Sequence, residues 1–371
     1  MAAADRGRDY SLVGEDTRRA ETRGLAKARW YRSDVPREEL KRLMQREDGP
    51  AIRDTLLWIA GFAVSGTGAV LTWGTWWCVP FLLVYGVLYG SSSDSRWHEC
   101  GHRTAFRTQW MNDAVYHAAC FMILREPELW RWSHARHHMD TLIVGRDPEI
   151  GAQRPISLLK TAMKFLGLLQ AKAHFVKLFT HAAGRMLPDE ATYVPERCWP
   201  RIHRTARVYL AIHTATLVAA VASGSLLPLM LGGLASLHGA WFHVLTGLTQ
   251  HAGLAEDVLD HRLNCRTVHM GPIARFLYWN MNYHVEHHMF PMVPYHRLPE
   301  LHALLKDDMP RPYAGFVDAY REIIPALLRQ RRDPDHFVER RLPATARPFT
   351  PGAAVHVALV DDGASDAFSR P

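Results

Sequence analysis

Two stretches of this 371-residue sequence contain no Asp, Glu, Lys or Arg: Thr55 to Ser93 and Val208 to Ala255. Each is about two bilayer crossings long, since roughly 20 apolar residues span the hydrocarbon. A soluble core seldom needs so long an uncharged run, and a buried soluble hairpin is the weaker reading. Cysteine is scarce as well. The five thiols (Cys78, Cys100, Cys120, Cys198, Cys265) are odd in number, irregularly spaced and never arranged C-x-x-C. That argues against a disulfide framework or a thiolate zinc site, and for a reducing compartment. The polar N-terminus lacks the apolar core of a signal peptide, so none is expected. No nucleic-acid motif accompanies the formal charge of +7, so no nucleic-acid partner is expected. A basic cytoplasmic face against anionic membrane lipid accounts better for that charge. Internal repeats and low-complexity tracts are absent too.

Each uncharged run is broken near its middle. Gly74-Thr75 interrupts the first, with Trp73, Trp76 and Trp77 gathered there as aromatics gather at a membrane interface. Ser223-Gly224-Ser225 and Pro228 interrupt the second. The expectation is two hairpins and four crossings: Thr55 to about Trp73, back from Trp76 to about Gly90, then a second pair between Val208 and Ala255. Both tight turns are uncharged, while every Lys and Arg lies on the other side. Cytoplasmic loops collect Lys and Arg, which puts both termini in the cytoplasm. The fold class expected is all-α integral membrane, multi-pass, in a bacterial inner membrane.

Residues 1 to about 30 are small and charged without apolar periodicity, as a mobile tail would be. Ser33 and Asp34 with Pro36 offer a helix start, and Gly49-Pro50 a stop, so residues 1–50 read as a polar tail and a short helix. The main body is expected over residues 51–332. Within it, Met111 to Leu124 is apolar but too short to cross, and suits an interfacial helix. Lys160, Lys164, Lys172, Lys177 and Arg185 alternate with apolar positions over residues 156 to 185, a pattern suited to the membrane surface. Residues 297 to 332 alternate charged and apolar positions in helical fashion. Residues 333–371, with Pro343, Pro348 and Pro351, read as a disordered tail.

Histidine is what the sequence has in plenty, 22 in all. His284, His287 and His288 fall at i, i+3 and i+4, one face of a single helical turn. His134, His137 and His138 repeat this H-x-x-H-H spacing, and His98 with His102 form an H-x-x-x-H pair at the end of the first returning helix. His251 sits at the cytoplasmic end of the fourth crossing. A lone helical pair is as easily structural as metal-binding. Together the nine exceed the three or four protein ligands of an ordinary zinc and suit two metal ions with open positions. Imidazole accepts Fe, Zn, Cu or Ni, so ligand type alone does not choose the metal.

Soluble helical di-iron sites use Glu together with Glu-x-x-His, an arrangement this sequence lacks. Asp94, Glu99, Asp140 and Glu286 sit beside the clusters instead, and Asn280 lies one turn before His284. They are expected either to accept hydrogen bonds from ring N–H groups, fixing the imidazoles, or to be ordinary surface charges and backbone partners. His213, His238 and His243 fall inside the crossings, where packing is the simpler reading than function. Trp130 and Trp132 either line a substrate path or pack. Cys100 points off the His98–His102 face, and no catalytic side chain beyond the metal ligands is expected. Two rivals stay open: a membrane zinc hydrolase, and a metal transporter, which would need ligands near mid-membrane.

HECGH at 98–102, HARHH at 134–138 and HVEHH at 284–288, with Gln250-His251 before the last, resemble the three histidine boxes and extra ligand of the membrane fatty acid desaturase superfamily. The resemblance covers about residues 50 to 330. It implies two non-haem irons, four transmembrane helices with a cytoplasmic helical cap holding the metal site, and O2-dependent attack on an unactivated C–H bond. A fatty acyl or lipid substrate would then be desaturated or hydroxylated. Gly145-Arg146-Asp147-Pro148-Glu149 and the stretch Asn282 through Pro299 look most like the rhizopine-catabolism oxygenase branch, which implies hydroxylation and demethylation of a small polar methoxy-inositol-type compound. The His-Pro-Gly-Gly motif of a fused cytochrome b5 is missing. Electrons are therefore expected from a separate ferredoxin- or Rieske-type protein and its reductase, steered by a basic face.

Overall fold

Helices make up nearly all of the regular structure. The computed structural model describes residues 7–349; among them no strand forms, only isolated bridges pairing Thr267 with Tyr283 and Val268 with Tyr313. In chain order the helices are α1 (Glu15–Thr22), α2 (Arg37–Leu43), α3 (Gly49–Leu71), α4 (Cys78–Val87), α5 (Ser93–Gly101), α6 (Gln109–Met122) and α7 (Pro127–Met139). Then come α8 (Leu158–Phe165), α9 (Leu168–Ala182), α10 (Pro188–Ala191), α11 (Trp199–Ser223), α12 (Leu227–Leu231), α13 (Ala235–His238) and α14 (Ala240–His251). The chain ends with α15 (His261–Asn264), α16 (Pro272–Tyr278), α17 (His284–Met289), α18 (Leu298–Leu305) and α19 (Phe316–Gln330).

Both uncharged runs become helical, although not as four equal rods. Gly49-Pro50 opens α3 rather than stopping α2, because proline fits the first turn, where its missing N–H is no loss. α3 and the segment Glu196–Ser223 are long and apolar enough to cross a membrane. Their return partners are shorter or broken. α4 has 10 residues before a π turn at Leu88–Ser92, and after Gly224 the chain comes back as α12, α13 and α14. Glycine sits at the tightest joint. A Cβ on Gly239 would lie 1.7 Å from the Gly86 carbonyl oxygen, so the α13–α14 junction meets α4 backbone to backbone.

Large apolar side chains point outward on α3 (Leu56, Leu57, Ile59, Val64, Leu71), α4 (Leu83, Val84) and α11 (Leu217, Val218, Val221). Water penalises such a belt, whereas lipid does not. α9 is amphipathic in the inverted sense: Phe175, Val176 and Phe179 are exposed, while His174 and His181 are buried. Lys177, expected on a surface-lying polar face, instead meets Glu190 at 3.0 Å.

The π turn joins α4 to α5 without a break, so His98 and His102 ride on the continuation of the first returning helix. π turns recur at functional sites; here Ser91 within it accepts the His243 N–H at 2.8 Å. One large apolar cluster then packs α5 (Trp97, Cys100) and α6 (Tyr116, Cys120) against Trp279, Met281, Val285, Leu298 and Leu301. The first and third histidine helices thus share a core.

The N-terminal segment corrects an expectation. Residues 7–30 are docked, not loose: Ala20 and Leu25 pack with Ile143 and Leu259, and the Tyr31 N–H donates to the Leu259 carbonyl at 2.9 Å. Trp30 Nε1 donates to the Met139 carbonyl at 2.9 Å and Arg32 Nε to the Met289 carbonyl at 3.0 Å. The segment thereby straps the C-terminal ends of α7 and α17, where unpaired carbonyls want donors and a positive charge. Its few apolar residues fill gaps singly, which leaves no periodic signal. Residues 333–349 lack helix but are also pinned, Val338 N to Gly253 O at 2.9 Å and Arg347 to Asp34. The remainder of the expected tails, 1–6 and 350–371, lies outside the described residues.

Candidate metal centre

Four helices bring the nine histidines together. α5 supplies His98 and, just past its end, the capping residue His102; α7 supplies His134, His137 and His138, α17 supplies His284, His287 and His288, and α14 ends on His251. They form two sets, each with one nitrogen per ring, all within 4.8 Å of one another: His98, His102, His134, His138 and His287, and His137, His251, His284 and His288. The sets adjoin, with the His138 and His288 rings stacked at 4.4 Å between centroids.

Hydrogen bonds on the far side of the rings fix which nitrogen faces inward. His251 Nδ1 is 2.8 Å from the Asn264 carbonyl, His137 Nδ1 2.9 Å from Asp147 and His134 Nδ1 3.1 Å from Glu149. Carbonyls and carboxylates only accept, so each of these Nδ1 atoms carries the proton and each Nε2 keeps its lone pair. The Thr141 hydroxyl donates to the His137 carbonyl at 2.7 Å and so accepts from His288 Nδ1 at 3.2 Å. His284 Nε2 then lies 2.9 Å from His251 Nε2 and 3.0 Å from His288 Nε2, two lone pairs at once. One proton cannot serve both; a cation can. In the other set His134 Nε2, a lone pair, is 3.1 Å from both His102 Nε2 and His138 Nε2. The donor set fits a pair of metal ions.

Electrostatics agree with that fit. Burial first, and then the neighbouring imidazoles, hold His98, His102, His138, His284, His287 and His288 well below the usual 6.5. Burial likewise lowers His134, against the pull of Glu149. His137 goes the other way: burial would lower it, but Asp147 outweighs burial. Burial opposes ionisation of Glu149, yet His134 brings it down to about 2. The cluster at neutral pH is mostly neutral rings with lone pairs inward, the form that takes up metal.

The five polar neighbours, expected either to hold the rings or to be ordinary charges and backbone partners, bond groups other than the nine rings. Asp94 meets Trp97 and Arg125, each at 3.1 Å. Glu99 accepts from Thr104 at 2.6 Å and the Tyr295 N–H at 3.0 Å. Asp140 pairs with Arg136 and Arg146. Asn280 bonds Arg275 and the Tyr295 carbonyl, and Glu286 bonds Thr267 and His302. The cause for Glu99 and Glu286 is helical geometry: a residue next to a ligand points about 100° away from it, and one two positions on points further still. The holding groups Asp147 and Glu149 come from the loop after α7, where no spacing rule marks them. Asn264 acts through its backbone carbonyl, which no side-chain pattern could reveal.

His261 also escaped the sequence reading. Its ring is 5.0 Å from that of His288, and with Cys265 and His288 it makes a third, overlapping set. Burial pushes the Cys265 thiol well up and His261 down to about 3, so the sulfur stays protonated and a poor ligand.

A cavity of about 470 Å³ opens beside the cluster. His251 and Glu149 reach its wall; Leu129, Leu178, Val244 and Leu248 give it apolar surface, and Glu126, Gln170 and His174 give it polar surface. Trp130 also lines it, whereas Trp132 packs with Leu129, Val194 and Ile202.

Among the described residues, a helical scaffold with an outward apolar belt carries two adjoining histidine sets whose donors fit metal ions. More narrowly, the chain belongs to the fatty acid desaturase family, whose profile matches residues 72–320. It is 25% identical over 108 residues to an sn-1 oleoyl-lipid 12-desaturase of Synechocystis sp., covering 29% of this chain and 30% of the relative. To an omega-6 fatty acid desaturase (endoplasmic reticulum isozyme 1) of Glycine max it is 34% identical over 94 residues, 24% of each chain. With a Delta(12)-acyl-lipid-desaturase of Punica granatum the figures are 29% over 104 residues, 28% of this chain and 25% of the relative. The chain spans less than a third of each of these curated relatives.

Proposed function

We propose that the protein is a membrane-embedded, O2-dependent di-iron oxidoreductase that attacks an unactivated C–H bond of a substrate held in the cavity beside the histidines. The observation that carries this reading is the convergence of ring nitrogens in two adjoining imidazole sets, with two lone pairs facing His284 Nε2 at once. His98, His102, His134, His138 and His287 would hold one iron, and His137, His251, His284 and His288 the other. Bound there, the irons would supply O2 activation and the abstraction of hydrogen from carbon. Asp147, Glu149, Thr141 and the Asn264 carbonyl hold the rings in orientation. The cavity walls exclude water and fix which carbon faces the cluster, and a small shift there separates desaturation from hydroxylation. Four crossings in two hairpins, with the histidines on the cytoplasmic side, are supported by the belt on α3, α4 and α11 and by the uncharged turns.

The apolar wall supports a fatty acyl substrate, in keeping with relatives named as lipid desaturases. A second reading, oxidation of a small polar compound, is favoured by one observation. Glu126 Oε1 and His174 Nε2 belong to residues lining the cavity, and both are buried without a partner. An acyl chain leaves both unsatisfied, which is costly, whereas a hydroxylated substrate pairs them. The test is iron-loaded protein with reductant under labelled dioxygen, offered acyl lipids and polyol methyl ethers in parallel. An alkene or a labelled alcohol formed from the acyl lipids supports the first reading, and formaldehyde released from the methyl ethers supports the second. Turnover without O2, with one metal per chain, would overturn both in favour of a hydrolase.

A further inference from the structure

We propose that Trp30 is the point at which electrons reach the metal centre, and that the basic segment around it docks a small acidic one-electron carrier protein. This rests on the O2-dependent reading above. Reducing O2 to two waters takes four electrons, of which the C–H substrate supplies two. The other two, with two protons, must come from outside, one from each of two reduced carriers that leave oxidised.

Trp30 is half-buried, and its indole lies flat on the His261 ring, centroids 4.3 Å apart and planes 5° from parallel. His261 in turn is 5.0 Å from His288, a member of the four-histidine set. Ring contact therefore runs unbroken from the surface to the cluster, and electron transfer weakens steeply with every gap in such a path. The Trp30 N–H bond to the Met139 carbonyl holds the indole in place. Met139, directly after His138, leaves 58% of its surface exposed beside it.

The chain segment that carries this patch is strongly basic. Over residues 17–33, Arg18, Arg19, Arg23, Lys27, Arg29 and Arg32 stand against the single acid Glu21, and all six bases are exposed, Arg19 and Arg23 being paired with Asp16 and Asp257 from outside the segment. An apolar centre inside a charged rim is the anatomy of a transient protein interface. A rim of this sign steers an acidic partner. Mere packing would also account for a tryptophan stacked on a histidine, but packing predicts no effect on how fast a protein donor reduces the centre.

The test uses the full chain in detergent and an acidic [2Fe–2S] ferredoxin as probe. Ferredoxin affinity for the metal-free chain is measured against salt, and reduction of the iron-loaded chain is timed with ferredoxin and with dithionite. Lys27→Glu/Arg29→Glu is expected to weaken ferredoxin binding about tenfold at low salt and to flatten its salt dependence. Trp30→Ala, measured at saturating ferredoxin so that any loss of affinity is removed, should be reduced by it at least several-fold more slowly, with the dithionite rate unchanged. Trp30→Phe keeps a stacked ring and should stay close to wild type, which guards against a variant that folds poorly. Wild-type reduction of Trp30→Ala by ferredoxin, or wild-type affinity in the charge reversal, overturns the proposal. A wild-type chain that holds no iron overturns the functional reading instead, while ferredoxin affinity on the metal-free chain still reports on docking.

Discussion

Asp147 accepts from His137 Nδ1 at 2.9 Å and, through the same oxygen, from the Leu142 N–H at 2.8 Å. Its other oxygen takes the Glu149 N–H at 2.8 Å. One buried carboxylate thus folds the loop after α7 back on its own helix and sets a ring of the cluster. Asp147→Asn should therefore lower iron affinity by about 10–100-fold, the usual effect of removing a group that orients a metal-bound histidine. Asp94→Asn, whose carboxylate touches no ring of the cluster, should leave affinity unchanged. Competition with a chelator reads both, and equal losses in the two variants would sink the assignment.

Glu126 gives a pH-dependent prediction away from the histidines. Burial pushes its carboxyl up to about 7, against 4.5 when exposed, so the folded state holds the proton more tightly than the unfolded state. Its contribution to stability is then complete below pH 4.5 and is lost as pH rises through 7. At ~1.4 kcal/mol per pH unit this amounts to roughly 3 kcal/mol between the two limits. Glu126→Gln keeps an oxygen for the Leu129 N–H, which Glu126 now caps at 2.6 Å, but cannot ionise. The variant should unfold at a higher temperature than wild type at pH 8 and at nearly the same temperature at pH 4.5. A difference independent of pH would rule this out.

Much of the centre was legible because helical spacing is rigid. Once His134, His137 and His138 share a face, their convergence with His284, His287 and His288 needs only that the two helices pack. What was not legible depends on loops. Asp147 and Glu149 reach the rings because residues 140–149 turn back, and Gly145 helps with a positive φ of 75°. Glu99 and Glu286 stand next to ligands in sequence, yet on a helix the adjacent position faces elsewhere, while Asp94, one turn before His98, is taken by Trp97 and Arg125. Trp30 falls at the end of the stretch that reads as a mobile tail, because a strap held by single apolar contacts and backbone hydrogen bonds has no period to detect.

Gly247 separates cavity shape from metal binding. It lines the cavity, and a Cβ built on it meets nothing within 4 Å. In the interior of α14 an alanine should then stabilise by about 0.5–1 kcal/mol, because glycine loses more backbone freedom on folding. Gly247→Phe places a ring in the substrate space instead. Iron content should stay at the wild-type level while turnover of any substrate occupying the cavity falls at least tenfold. Retained turnover in Gly247→Phe would mean that the substrate approaches the cluster by another route.

The apolar belt makes the membrane itself testable. Val64, in the middle of α3, leaves 69% of its surface exposed, and Val13, in the docked N-terminal segment, leaves 60%. In water neither position would resist a lysine, since exposed substitutions usually cost under about 0.5 kcal/mol. In lipid the two differ, because a lysine at the centre of a spanning helix costs about 2.5–3.5 kcal/mol on insertion scales. Val64→Lys should therefore reduce membrane integration and the yield of folded protein, while Val13→Lys should match wild type. Alkaline extraction of membranes after cell-free synthesis measures the integrated fraction directly. Equal integration of the two variants would mean that α3 does not face lipid at Val64, and the four-crossing arrangement would lose its main support.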